Sequence, residues 1–150
     1  MSIKIIADNK KARFDYEILE VYEAGMVLSG SEVKSLRNGQ CNLKDAYVAF
    51  RGHEAFLQKA HISVYTASSY NNHEPERVRK LLLHDHELKK IFEALTEKGL
   101  TCVALKMYFK KGIAKVEIGL ARGKKKGDKR QAERSKEADR DIQRIMRKSR

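Results

Sequence analysis

Residues 121–150 carry thirteen Lys or Arg against five Asp or Glu, so a fifth of the 150-residue chain holds net +8 of a total of +12. The segment opens with Arg122-Gly123-Lys124-Lys125-Lys126-Gly127-Asp128-Lys129-Arg130 and contains no aromatic residue. Ordering costs about 1–2 kcal/mol per residue, and so polar a stretch has too little apolar surface to offset it. It cannot enter a core, and its natural counterpart is a polyanion, above all nucleic acid. Any folded domain must therefore be built from residues 1–120, where nineteen Lys or Arg face fifteen Asp or Glu and apolar residues recur at ordinary intervals. That length supports one core and not two. The expected organisation is a compact body, residues 1–120, and a basic tail, residues 121–150.

Within the body, short alternating apolar runs are separated by Gly-containing turns, the mark of antiparallel sheet. Phe14, Tyr16, Ile18 and Val21 form the first run, and Met26–Leu28 follow across Tyr22-Glu23-Ala24-Gly25. Ala46–Phe50 and Ala55–Leu57 flank Arg51-Gly52-His53, with Ile62–Tyr65 extending the second arm. Thr101–Phe109 and Ile113–Ile118 flank Lys110-Lys111-Gly112. Each pair is a candidate hairpin, giving about six strands. One helix begins near Ser29 or Ser31, carries Glu32 in its first turn and stops at Asn38-Gly39. A second begins around His84-Asp85, presents Leu88, Ile91, Phe92 and Leu95 at helical spacing, and ends with Lys98 before Gly99. Strands this short, with two inserted helices, favour a mainly β, α+β architecture closed as an oligonucleotide-binding type of antiparallel barrel, since closure removes exposed edges.

Catalysis and cofactors find no support. Cys41 and Cys102 lack paired spacing, which excludes a disulfide framework or a four-ligand zinc site and implies a reducing compartment. His84-Asp85-His86 resembles a metal pair, but residues two apart point to different sides of a helix. There is no Gly-rich phosphate loop, Gly-x-Ser-x-Gly turn or Cys with an evident base. No run approaches the roughly 18 apolar residues of a membrane span, and Met1–Ile6 turns polar too soon for a secretory leader. A cytoplasmic protein without metal or cofactor is expected.

Five ordered segments carry a more specific signal. They are Asn9-Lys10-Lys11-Ala12-Arg13-Phe14-Asp15-Tyr16 followed by Gly25; Leu28-Ser29-Gly30-Ser31-Glu32-Val33-Lys34-Ser35-Leu36-Arg37; Asp45-Ala46-Tyr47; Arg77-Val78-Arg79-Lys80-Leu81-Leu82-Leu83; and Gly119-Leu120-Ala121-Arg122-Gly123-Lys124-Lys125 with Asp128-Lys129-Arg130. In this order the chain resembles the bacterial SsrA-binding protein (small protein B) family over nearly its whole length. The resemblance implies a noncatalytic RNA-binding protein of ribosome rescue. Its barrel would bind the tRNA-like part of transfer-messenger RNA and deliver it, with elongation factor Tu and GTP acting through the alanyl form of that RNA, to stalled ribosomes. The bound RNA would then supply alanine and a reading frame for a degradation tag. The tail would enter the vacant messenger channel and decoding centre of the small subunit.

Body charge is modest, so binding should rest on a local patch. Asn9, Lys10, Lys11 and Arg13, with Gly30, Lys34 and Arg37 on the first helix, can meet phosphates. Arg77, Arg79, Lys80, Lys124 and Lys125 are further candidates. Glu32 is unusual beside phosphate. It can be a first-turn helix residue, accept from a base amino group, cap an amide, or hold a cation in place. Tyr16 and Tyr47 can stack on an unpaired base, although aromatics in alternating strands more often serve the core, and Leu81–Leu83 read as structural. In the tail, a helix induced from about Arg130 would align Ala138, Ile142, Ile145 and Ser149, with Met146 beside them. Asp128, Lys129, Arg130, Arg134, Arg140, Arg144, Ile145, Met146 and Arg147 are its candidate ribosome contacts. Gly127 and Ala138 replace aromatic or His residues that relatives often carry, which removes stacking from those two positions. A structural ribosomal protein, another basic RNA-binding translation factor and a basic nuclease are the competing classes.

Overall fold

The computed structural model describes residues 3–65 and 72–123. Its elements run β1 (Ile3–Asp8), α1 (Lys10–Asp15), β2 (Tyr16–Met26), α2 (Gly30–Arg37), β3 (Cys41–Asn42), β4 (Tyr47–Arg51), β5 (Glu54–Gln58), β6 (His61–Ile62), β7 (Arg79–Leu82), α3 (Asp85–Thr96), β8 (Thr101–Lys110) and β9 (Ile113–Gly123).

Six strands close on themselves. Following the pairings from β8 through β4, β5, β7, β2 and β9 returns to β8, every neighbour antiparallel. This is the expected oligonucleotide-binding-like barrel of about six strands. β1 lies along β8 at Lys106–Lys110, beyond the single pairing of β4 with Val103. Irregular registers between Ile18 and Glu20 and between Ala104 and Lys106 fall in β2 and β8, two of the three long strands, where a bulge adds the twist and bend that closure demands.

Local signals account for several elements directly. Ser29 caps α2: its hydroxyl accepts from Glu32 N while Ser29 N donates to Glu32 Oε1 at 2.9 Å, and the helix ends before Gly39, whose φ is +71°. The β4–β5 hairpin turns at Gly52, φ +63°. Lys111 and Gly112, φ +53° and +76°, supply the two successive positive φ values of a tight hairpin between β8 and β9.

Four expectations are overturned. Phe14 belongs to helix α1 and not to a strand: Asn9 caps that helix, which at six residues is too short for its periodicity to compete with the Phe14, Tyr16, Ile18 alternation. Tyr22–Gly25 makes no turn, because β2 runs unbroken for eleven residues and Gly25 instead lets Leu82 pack close by, 3.4 Å from where a Cβ would stand. Ile62 does not extend β5; Lys59 adopts φ +59° and diverts the chain, so that His61 and Ile62 pair with Cys41 and Asn42. The body also continues past residue 120, since β9 reaches Gly123 and Ala121 is wholly buried.

Two apolar layers result. Ala24, Leu57, Ile62, Ile91, Val116 and Ile118 lie in the barrel interior, which α2 enters with Leu36. A smaller layer outside β8 joins Ala12 of α1 to Val103, Leu105 and Ala121, with Tyr16 and Ile18 against it. This explains why four consecutive residues of β8, Cys102–Leu105, are buried although a strand alternates its faces. Gly119 faces the outer layer, where a Cβ would stand 2.9 Å from Leu105 Cδ1 and 3.0 Å from Ile18 Cγ2. Gly119→Val is therefore expected to destabilise the fold by about 1–3 kcal/mol through overpacking. Thermal unfolding measures it, and an unchanged midpoint would mean that Leu105 and Ile18 give way without cost.

Candidate nucleic-acid interface

Asn9 organises one side of the molecule. Its Oδ1 accepts from Ala12 N at 3.1 Å, its Nδ2 donates to Leu43 O at 2.7 Å and to Ala104 O at 2.9 Å, and its own N–H donates to Leu105 O at 2.7 Å. Asn9 is buried. Its expected role as an RNA contact is corrected: every polar atom of its side chain is already engaged in joining α1 to β8 and to the Leu43 segment.

That junction forms one wall of a groove of about 310 Å³ lined by Lys11, Asp15, Tyr16, Lys44, Asp45, Tyr47 and Lys59 among others. Tyr16 and Tyr47 are half-buried, and the Tyr47 hydroxyl donates to Gln58 Oε1 at 3.2 Å. A second hollow of about 260 Å³, lined by Asn42, Lys44, Asp45, Lys59, His61 and Glu76, shares Lys44, Asp45 and Lys59 with the first. The periodicity of the sequence does not single out Lys44 or Lys59. Their signals are conformational: Asn42 Oδ1 accepts from Lys44 N at 2.8 Å, turning the chain before β4, and Lys59 sits in the left-handed region, which costs a non-glycine residue roughly 1–2 kcal/mol.

The cations divide by how far they are already neutralised. Arg13 lies 3.3 Å from Asp8 and 3.6 Å from Glu117, Lys11 lies 3.5 Å from Asp45, and Lys80 lies 3.5 Å from Glu54, all in exposed or partly exposed pairs that bind loosely. Lys10, Lys44, Lys59 and Arg37 have no carboxylate partner among the described residues. Lys34 is exposed and rests over the Tyr65 ring, 5.6 Å from its centroid. Gly30 opens α2 at the surface. Of the expected patch, Asn9 and Lys11 line the groove, whereas Lys10, Arg13, Lys34 and Arg37 do not.

Glu32 and Arg79 are removed from the surface altogether, each with 0 % exposure. Arg79 Nε donates to Glu32 Oε2, its Nη1 to Ala60 O at 2.8 Å and its Nη2 to Pro75 O at 3.0 Å. Arg77 Nη2 donates to Glu32 Oε1 at 2.6 Å and to Val27 O at 3.0 Å. Burial alone would raise the Glu32 carboxyl, but Arg77, the Ser29 amide and Arg79 outweigh it and hold the group down at about 2. Burial pulls the Arg79 guanidinium down, against the hydrogen bond and charge of Glu32. Direct RNA contact by Glu32 and Arg79 is thus corrected. Glu32 caps an amide and fixes two cations, locking α2 to β7 across the chain. Arg77 keeps 39 % of its side chain exposed and Lys80 is partly exposed. Among the leucines, Leu81 is buried, but Leu82 is 53 % exposed and does not serve the core.

Other groups offer no chemistry here. Burial pushes the thiols of Cys41 and Cys102 up to about 12, with Arg79 opposing it at Cys41, which keeps both protonated. His84 precedes α3 instead of lying on it, so its ring stacks on His86 with centroids 5.6 Å apart, contrary to the expected divergence. No group of three metal-ligating side chains occurs among the described residues. Lys124, Lys125, Asp128, Lys129, Arg130, Arg134, Arg140, Arg144, Ile145, Met146 and Arg147 lie outside the described residues, as do Gly127 and Ala138.

A family model described as SmpB protein matches residues 6–148. An SsrA-binding protein of Bdellovibrio bacteriovorus is 59 % identical over 149 residues, covering 99 % of this chain and 98 % of its own. One of Syntrophobacter fumaroxidans is 56 % identical over 147 residues, covering 98 % and 91 %. A solved chain from a structure described as "tmRNA-SmpB: a journey to the center of the bacterial ribosome" superposes with a TM-score of 0.68 at 50 % identity, covering 80 % of this chain and 85 % of that one.

Proposed function

The chain belongs to the SmpB family of SsrA-binding proteins, and from that premise we propose how its parts divide the work. The protein binds transfer-messenger RNA and acts with it in trans-translation on the bacterial ribosome. In our reading the barrel holds the tRNA-like part of that RNA, with residues 124–150 serving as the arm that enters the empty messenger channel and decoding centre. Elongation factor Tu with GTP is engaged only indirectly, through the aminoacylated RNA. The family is an RNA-binding one, and we assign this member no bond-breaking step and no cofactor. No helix among the described residues is long and apolar enough to cross a membrane, and we assign the protein to the cytoplasm, where ribosomes stall.

The observation that best supports a contact on the body is the groove beside α1. Lys44 and Lys59 line it with no carboxylate partner among the described residues, and Tyr16 and Tyr47 share the lining. Phosphate contacts of this kind release counterions, so affinity should fall steeply with salt. Asp15 and Asp45, also on the lining, can accept from ribose 2′-hydroxyls or base amino groups. A permanent ribosomal component would show the same charge but not the same RNA partner. Ultraviolet crosslinking in cells followed by sequencing of the attached RNA is expected to return transfer-messenger RNA as the dominant species. Ribosomal RNA alone, recovered equally from stalled and translating ribosomes, would overturn the reading.

A further inference from the structure

We propose that the double hollow beside α1 is a seat for a short unpaired stretch of RNA, its bases entering between Tyr16 and Tyr47 and its phosphates tracking along Lys44 and Lys59. The inference rests on the RNA-binding reading and names the kind of RNA element this surface takes. Three independent observations carry it.

The first is shape. The two hollows share Lys44, Asp45 and Lys59, so they form one continuous path from the tyrosines at one end to His61 at the other. The second is the pairing of rings with Lys44 and Lys59, two lysines in no ion pair among the described residues, on a lining that Asp15, Asp45 and Glu76 share. Single-strand readers join a positive track to aromatic faces because every unpaired base offers a π-face. Bases in a duplex spend those faces on their neighbours, and A-form RNA presents mainly phosphates and 2′-hydroxyls. A duplex would therefore leave Tyr16 and Tyr47 unused. The Tyr47 hydroxyl is held by Gln58, which restrains that ring at the groove wall before any ligand arrives. The third is backbone strain. Lys59 keeps φ +59° without being glycine, and the strained residue carries one of the two lysines common to both hollows. Such an outlier at a binding surface points to a position fixed for its side chain. The other lysine common to both hollows, Lys44, is placed by the Asn42 turn.

The test uses the full-length protein with a hexaribonucleotide containing 5-iodouridine, set against a fully paired hairpin carrying the same photoreactive base. Crosslinked peptides are mapped by mass spectrometry. The expected result is crosslinking at Tyr16 or Tyr47 that is about tenfold stronger for the single strand than for the hairpin. It should fall about tenfold in a Lys44→Glu, Lys59→Glu double variant whose thermal midpoint matches the parent. Crosslinks confined to residues 124–150, equal labelling of the two tyrosines by the hairpin, or undiminished labelling in a folded double variant would each overturn the proposal. Gel-shift binding of transfer-messenger RNA by the parent protein separates the two levels. If that RNA binds while the tyrosines stay unlabelled, only the single-strand seat falls. If that RNA does not bind, the functional reading falls with it.

Discussion

Glu32→Ala is expected to destabilise the body by about 3–5 kcal/mol, because it leaves Arg79 charged in the interior with no counterion. In a domain of this size that corresponds to a fall of roughly 10–20 °C in thermal midpoint. The loss exceeds what an ordinary surface carboxylate contributes. Glu32 is fully enclosed, accepts from Arg77, Arg79 and the Ser29 amide, and so couples the first turn of α2 to β7. Weaker RNA binding in a gel shift should accompany the change, as a consequence of lost geometry and not of a lost contact. Acid provides a separate reading. The native carboxyl titrates near 2, below its ordinary 4.5, so folding favours the ionised form. The stability it contributes is complete above about pH 4.5 and drains away as pH falls from there towards 2. Glu32→Gln lacks this group, and its melting temperature should decline less steeply across the same window. If Glu32→Ala melted within a degree or two of the parent, the enclosed network would not be what joins α2 to the barrel.

Truncation after Gly123 is expected to abolish tagging while leaving transfer-messenger RNA binding nearly intact. The cut belongs there because β9 pairs Gly123 with Tyr16 and Ala121 is buried, so an earlier stop would unravel the strand that closes the barrel. Residues 124–150 hold twelve Lys or Arg against five Asp or Glu. Some affinity will go with them, chiefly as a shallower dependence on salt, because nonspecific phosphate contacts add to every RNA equally. A reconstituted reaction on ribosomes carrying a truncated message reads tagging, and gel shifts at several salt concentrations read binding. A shortened protein that tags at the normal rate would show that the body alone performs both tasks.

Local chemistry made much of the architecture readable. Ser29 and Glu32 announce a capped helix, Gly39 and Gly99 its kind of ending, and Gly52 and Gly112 the hairpins, because each acts through residues a few positions away. α1 escaped notice because six residues make too little helix for a period to emerge. The candidate RNA residues fared unevenly for a related reason. A motif such as Asn9-Lys10-Lys11 shows which residue types occur together but not which of them face water. Lys10 does, whereas Asn9 spends its side chain on Leu43 and Ala104.

The sequence by itself determined where positive charge concentrates, in residues 124–150, the positions of the principal turns and caps, and the family. Those follow from composition and from neighbours along the chain. Only the tertiary structure decided that Glu32 and Arg79 are internal, that β2 passes through Gly25 without turning, and that Lys44 and Lys59 meet beside two tyrosines. Each depends on segments brought together from far apart, such as Glu32 and Arg79, 47 positions apart, or Asn9 and Ala104, 95 positions apart. Whether a charge is enclosed or free to meet phosphate is set by what closes over it, and in a barrel the covering strands come from distant parts of the chain.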